Sequence, residues 1–383
     1  MKSWITGVCF LCCVAMAAAE DRVEFDVRGF GDGASHWRRI KDPNRFIQAE
    51  EGQGVYKPTE IREIAANVLL FQRANGGWPK DYDMLAVLTE VQREKVAATR
   101  EREDTSFDNH NIAPQVEYLA RMYTETGEAV YREGAERGID FILSAQYPNG
   151  GWPQWFPKHS GYHSHITFND GAMMGCMRLM RDVAESKDHL KWVDAVRKER
   201  AKDSVQRGVE CILKCQIRSH GLLTGWCQQH DRETYEAVPA RTFELASNCP
   251  GDTTEILQFL MEIEKPDQRI VEAVERGVEW LKSVELHGIV VKRVQAKVVD
   301  FEKHQADFDI IVVREQNAPP IWARHYEIDT DRPIFASRDA VKRYELSEIS
   351  RERRTGTKWY GDWPKKLIGR DYPKWKMRLS EGG

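Results

Sequence analysis

The stretch Asn75-Gly76-Gly77-Trp78-Pro79 recurs as Asn149-Gly150-Gly151-Trp152-Pro153 and, more loosely, as Leu223-Thr224-Gly225-Trp226, so the three tryptophans fall 74 residues apart each time. A fixed period in a chain of this kind marks stacked supersecondary units, each unable to bury its apolar face alone. Every copy follows a similar word: Leu69-Leu70-Phe71-Gln72, Ile142-Leu143-Ser144-Ala145-Gln146 and Ile212-Leu213-Lys214-Cys215-Gln216. An eroded fourth copy is expected at Trp280-Leu281-Lys282-Ser283-Val284.

Helical periodicity surrounds these loops. Ile61, Ile64, Ala65, Val68 and Leu69 follow the spacing of one helix face, as do Val205, Gly208, Val209, Ile212 and Leu213. Partner helices lie between the copies, with Ile112, Val116, Leu119, Ala120 and Tyr123 on one face of the first and Met173, Cys176, Met177 and Met180 on one face of the second. The repeating unit therefore reads helix, Gly-Trp loop, helix. Three or four antiparallel pairs closing on themselves give a mainly α fold, an incomplete α/α toroid with a central cleft and a few short β-strands. Val290, Val291, Val294, Val298 and Val299 place a hairpin or small sheet between 290 and 308. The tail after Ser347 is basic and then aromatic, through Trp359, Tyr360 and Trp363.

The apolar run from Trp4 to Ala19, behind Lys2 and ending in Ala17-Ala18-Ala19, reads as a signal peptide over 1–19. It falls short of the ~20 residues a spanning helix needs. A secreted or periplasmic protein is expected, with an N-terminal arm over 20–58 and the toroid domain over 59–383. Removing Lys2 takes the formal net charge from −4 to −5, which does not favour a nucleic-acid partner. A mean hydropathy of −0.59 fits a soluble chain, expected to act as a monomer. Cys176, Cys211, Cys215, Cys227 and Cys249 remain after cleavage, an odd number without a disulfide framework, and Cys211 and Cys215 sit one helical turn apart as on a core face.

Three groups of residues could carry chemistry. Phe107-Asp108-Asn109 and Phe168-Asn169-Asp170 open the partner helices at corresponding places. Asp and Asn there cap helices well; alternatively, carboxylate and amide oxygens converging at one end of a cleft suit Ca²⁺. His110, His159, His163, His165 and His230 lack the spacing of a closed zinc site. Arg241, Arg324 and Arg338 lie in Pro- and aromatic-rich loops, where a planar guanidinium is either a solvated charge or a fork for a substrate carboxylate. Loop aromatics such as Trp78, Trp152, Trp155, Trp226 and Trp322 belong either to the core or to a sugar-stacking surface.

These residues together resemble family 10 of the polysaccharide lyases, pectate lyases of the α/α-toroid class. The likeness runs in order from about 55 to 368. It is carried by the run Ala65 to Lys80, by Asp108-Asn109, by His165-Ile166-Thr167-Phe168-Asn169-Asp170, and by Gly225-Trp226-Cys227-Gln228-Gln229-His230-Asp231. It continues through Ala240-Arg241-Thr242-Phe243-Glu244-Leu245, Ala323-Arg324-His325-Tyr326-Glu327, Arg332 to Asp339 and Trp359-Tyr360-Gly361-Asp362-Trp363-Pro364. The resemblance implies calcium-dependent β-elimination of polygalacturonate, the anionic polysaccharide of pectin, to 4,5-unsaturated products. It also implies Asp108, Asn109 and Asp170 near calcium and the substrate carboxylate, and Arg241 as the base. Substrate contacts are implied at Asn109, Arg324, Arg338, His165 and Trp226. One departure is His110-Asn111 after Asp108-Asn109, where the family usually has small residues. The competing readings are an α/α-toroid glycoside hydrolase using Asp108, Asp170, Asp231 or Glu244, and a non-catalytic uronate-binding protein.

Overall fold

A computed structural model describes residues 23–40 and 42–381; the signal-peptide reading of 1–19 lies outside the described residues. After a short helix α1 (Gly31–Arg39) come α2 (Ile61–Phe71), α3 (Glu90–Ala97), α4 (Ala113–Thr126) and α5 (Ala129–Ala145). They are followed by α6 (Ala172–Ala184), α7 (Ala195–Cys215), α8 (Pro250–Met261) and α9 (Gln268–Ser283), and in the tail by α10 (Arg351–Gly356) and α11 (Tyr372–Glu381). Helices α4/α5, α6/α7 and α8/α9 pack as pairs. Within the stack, α4 touches α6 and α6 touches α8, while α2 touches α5, α5 touches α7 and α7 touches α9. Two concentric rows result, the layout of an incomplete α/α toroid.

The recurrent words now have physical causes. Each loop tryptophan is buried and donates its indole N–H to a carbonyl of the preceding helix: Trp78 to Val68 at 2.7 Å, Trp152 to Ile142 at 2.9 Å and Trp226 to Ile212 at 2.8 Å. The glutamine ending each helix ties its own loop to the next outer helix. Gln72 donates to Gly76 and Gly134, Gln146 to Gly150 and Ser204, and Gln216 to Thr224 and Ala273, all within 2.8–3.0 Å. The first glycine of the motif is required twice over. Gly76 and Gly150 both have φ of +95°, and a Cβ there would come within 2.3 Å of the Arg137 carbonyl oxygen and 2.1 Å of that of Arg207.

The fourth unit keeps the expected helix-ending word and carries an insertion in its loop. Helix α9 ends in Trp280-Leu281-Lys282-Ser283, where the sequence places the fourth helix-ending word, and Trp280 donates to Asp331 Oδ1 at 2.8 Å. The loop tryptophan of this unit is Trp322, buried, donating to Leu281 O at 2.7 Å. Between them stands an antiparallel hairpin, Ile289–Asp300 with Gln305–Arg314, inserted above the Leu286–Ile321 bridge. The β-branched run thus forms a long hairpin within the fourth loop. Trp322–Ala323 then pairs with Tyr360–Gly361, so the aromatic tail closes over this unit.

All five described cysteines are buried thiols, with Cys211 and Cys215 inside the helical core. Two buried histidines are neutral for the same reason: burial pushes His230 down to about 4 and His325 to about 3. His230 Nε2 accepts from the Cys227 N–H at 2.9 Å, a bond that protonation would break. The unfolded chain takes up protons near 6.5 that the folded one refuses until lower pH, so these two contribute stability above pH 6.5 that fades as pH falls toward 4. Urea unfolding of the wild type should therefore weaken across that window, and His230→Asn should flatten the slope; an unchanged slope would remove His230 as a cause.

Candidate active site

Register decides what faces the cleft. Phe107 N–H donates to Gln154 O and Phe168 N–H to Gln228 O, each at 2.9 Å. The two phenylalanines are therefore equivalent, and with them Asp108 matches Asn169 and Asn109 matches Asp170. Backbone conformation agrees, because Asn109 (φ 56°) and Asp170 (φ 52°) both adopt the left-handed region. Such strained turns concentrate at functional sites. Asp108 and Asp170 thus come from neighbouring units one position out of step. Neither caps a helix: α4 begins after Ile112 and α6 after Gly171, without a side-chain cap from either aspartate.

Their surroundings differ. Asp108 is 5% exposed, its Oδ2 is bonded by Lys80 Nζ, and its buried Oδ1 makes no hydrogen bond of good geometry among the described residues, with the Gln154 side chain nearby. Burial pushes its carboxyl upward, yet the Lys80 ammonium prevails and holds it below the usual range. Asp170 accepts from Asn169 Nδ2 at 2.7 Å, and burial with the neighbouring Asp108 charge lifts it to about 6. Asn109 donates through Nδ2 to Asp81 Oδ1 at 2.5 Å. Asn169 Oδ1 receives Gln228 Nε2 at 2.6 Å and Arg324 Nη2 at 3.2 Å, which ties the third and fourth loops to Asp170.

The arginines gather on one ring. The guanidinium carbons of Arg353, Arg241 and Arg338 lie 4.3, 4.9 and 5.6 Å from the centroid of buried Phe243. Glu244, 4% exposed, takes Nε of Arg241 at 2.7 Å and also Nη2, leaving Nη1 uncommitted among the described residues. Burial alone would weaken the Arg241 proton, but Glu244 and then Asp170 and Asp108 outweigh it, so the guanidinium is held charged more firmly than usual. A desolvated site alone would ease deprotonation; these carboxylates reverse that. Arg338 Nη2 is engaged by Glu352 at 3.0 Å.

A cavity of about 590 Å³ brings Asp108, Asn109, Asp170, Arg241, Arg324 and Arg338 together. Two expected contacts fall outside it. Trp226 has no exposed surface and spends its indole N–H inside the helix layer, so it has no face for a sugar. His165 does not line the cavity and lies 3.9 Å from Asp231; His163 lines it instead. Sequence reasoning also missed Lys80, Gln154 and Phe243, and named Glu244 only as a candidate acid or base of the hydrolase reading. The signal for the first two was present: Lys80, Gln154, Gln228 and Arg324 each stand two residues after a loop tryptophan. The loop is thus more than scaffold, since it aims one polar side chain per unit at the cleft or at Asn169.

Among the described residues, no group of three His, Cys, Asp or Glu side chains is arranged to hold a metal by itself. The Asp108 carboxylate with its orphaned oxygen, the Asp170 carboxylate and the Asn109 amide oxygen fit a hard cation that completes its six to eight oxygen ligands from substrate and water.

A toroid cleft with paired carboxylates and clustered arginines suits an enzyme of acidic polysaccharides. The model of the pectic acid lyase family matches residues 72–368, and the chain belongs to that family as a pectate lyase. A family 10 polysaccharide lyase from Cellvibrio cellulosa, solved as a mutant in complex with trigalacturonic acid, superposes with a TM-score of 0.70 at 29% identity, covering 80% of this chain and 90% of that one. Another structure of the family 10 enzyme from that organism gives 0.67 at 28% identity, with the same coverage. Among curated proteins, none matches.

Proposed function

We propose that this cleft cleaves polygalacturonate by β-elimination with Ca²⁺, releasing 4,5-unsaturated oligogalacturonates. The observation that carries the reading is the buried Asp108 oxygen without a well-placed partner among the described residues, in one cavity with Asp170, Arg241 and Arg324. Family membership and a relative solved with trigalacturonic acid support the substrate. Elimination takes the C5 proton beside the uronate carboxylate, forms the C4–C5 double bond and expels the O4 oxygen. When bound, calcium supplies positive charge to the substrate carboxylate, where negative charge grows in the transition state. Asp108, Asp170 and the Asn109 oxygen would hold it. Arg324 and Arg338 orient the neighbouring carboxylates. Arg241 offers Nη1 to the C5 proton; being charged in the free site, it acts as a base only in the small neutral fraction that alkaline pH enlarges. The N-terminal signal supports export to the periplasm or beyond.

Chelation should abolish formation of the ultraviolet-absorbing unsaturated product from polygalacturonate, and added Ca²⁺ should restore it. Full turnover in chelator would sink the metal requirement. New reducing ends without ultraviolet absorbance would instead return the chain to hydrolysis.

A further inference from the structure

The hairpin inserted into the fourth unit reaches back to the cleft. Its turn, closed by the Phe301 N–H bond to His304 O at 2.8 Å, puts Lys303 and His304 on the wall of the same cavity as Arg241. It is bolted in place. Arg354 forks onto Asp309 at 2.8 and 2.6 Å, Arg351 donates to Phe308 O at 2.9 Å and Ala306 O at 3.1 Å, and His304 Nε2 meets Thr355 Oγ1 at 2.9 Å. Helix α10 therefore fixes the turn over the cleft and carries Lys358 just behind it.

Charge on this wall is one-sided. Lys303, Lys358, Arg338 and Arg353 line the cavity here; Glu352, outside the lining, already binds both arginines, and the lining carboxylate Glu244 is forked by Arg241. The Lys303 partner is the exposed Glu302, at 3.4 Å. Lys358 has no carboxylate partner among the described residues and lies 5.3 Å from the Trp363 ring. The rest of the lining carries Asp32, Asp42, Asp81, Asp108 and Asp170, with Arg39, Arg45 and Lys80 among them. Of the three lysines lining the cavity, Lys80 is committed to Asp108, which leaves Lys303 and Lys358 as the ammonium groups not bound to a cleft carboxylate.

We propose that Lys303 and Lys358 form a distal subsite for a free uronate carboxylate, occupied by substrates extending beyond the sugars held at Asp108, Asp170 and Arg241. The inference rests on the lyase reading and sharpens it: chain length and de-esterified stretches are read at the hairpin, because a methyl ester offers no charge to either lysine.

The test compares Lys303→Ala, Lys358→Ala and the double variant on trigalacturonate and on polygalacturonate. On the long substrate the double variant should lose roughly five- to tenfold in kcat/KM, mostly through KM, as expected for two partly exposed ion pairs; the trimer should lose less than twofold. The long-substrate rate should also become less salt-sensitive. Equal losses on both lengths, or none on the long one, would overturn the subsite. To separate this from failure of the lyase reading, the same lysines are removed in an Arg241→Ala chain and hexagalacturonate affinity is measured by calorimetry. A several-fold loss upholds the subsite even without turnover, and unchanged affinity refutes it. Lys303→Glu, a surface change, should deepen the loss.

Discussion

Arg241→Ala is expected to lower kcat on polygalacturonate by roughly 10²–10⁴-fold, the range a positioned proton acceptor contributes, while oligogalacturonate affinity changes far less. Arg324 and Arg338 remain in the cavity to hold carboxylates, so binding and turnover should separate. Arg241→Lys should not rescue, because an ammonium cannot keep the fork onto Glu244 while presenting a second nitrogen to C5. The carboxylates around Arg241 make a companion test. Glu244 holds its proton in place, ahead of Asp170 and Asp108. Glu244→Gln should lower the pKa of the guanidinium and move the alkaline limb of the rate profile to lower pH. A limb that stays put, with kcat unaffected by Arg241→Ala, would take the base role away from Arg241.

Much of the fold was legible because the repeat is enforced by packing. A tryptophan that must reach a helix carbonyl, a glutamine that must bridge two helices and a glycine that must sit at φ of +95° leave recurring letters. The fourth helix-ending word at Trp280 was legible, but its loop tryptophan was not: Trp322 follows a hairpin insertion that spacing alone could not bridge. In the site, Asp108, Asp170 and the arginines were legible as residue types. Trp226 was not separable from a stacking residue, since exposure and burial leave the same letter. Lys80 escaped because its value lies in register: it neutralises Asp108 from the preceding loop, a contact between positions 28 residues apart. His110, the departure from the usual family pattern, also finds its reason only in space. It takes the left-handed conformation after Asn109 and meets Asp32 of the N-terminal arm at 3.1 Å.

Trp322→Ala should be the most damaging single change to stability away from the chemistry. The side chain is 1% exposed, and truncating a buried tryptophan costs roughly 3–5 kcal/mol. Leu281 O would also lose its indole donor at the end of α9. In a chain of this size that corresponds to a fall in Tm on the order of 4–7 °C. Trp322→Phe separates the two contributions: it keeps most of the apolar volume and loses the bond, so roughly 1–3 kcal/mol should remain lost. Trp155→Ala, at a partly exposed loop tryptophan, should cost less than either if burial sets the scale. The activity readout goes further than stability. Trp322 anchors the strand pair with Tyr360–Gly361 from which Arg324 projects two residues later, and Arg324 N–H itself bonds Trp359 O at 2.7 Å. Well below its melting point, Trp322→Ala should therefore raise KM for polygalacturonate as Arg324 loses its fixed position. A normal KM together with a lowered Tm would confine Trp322 to holding the toroid closed.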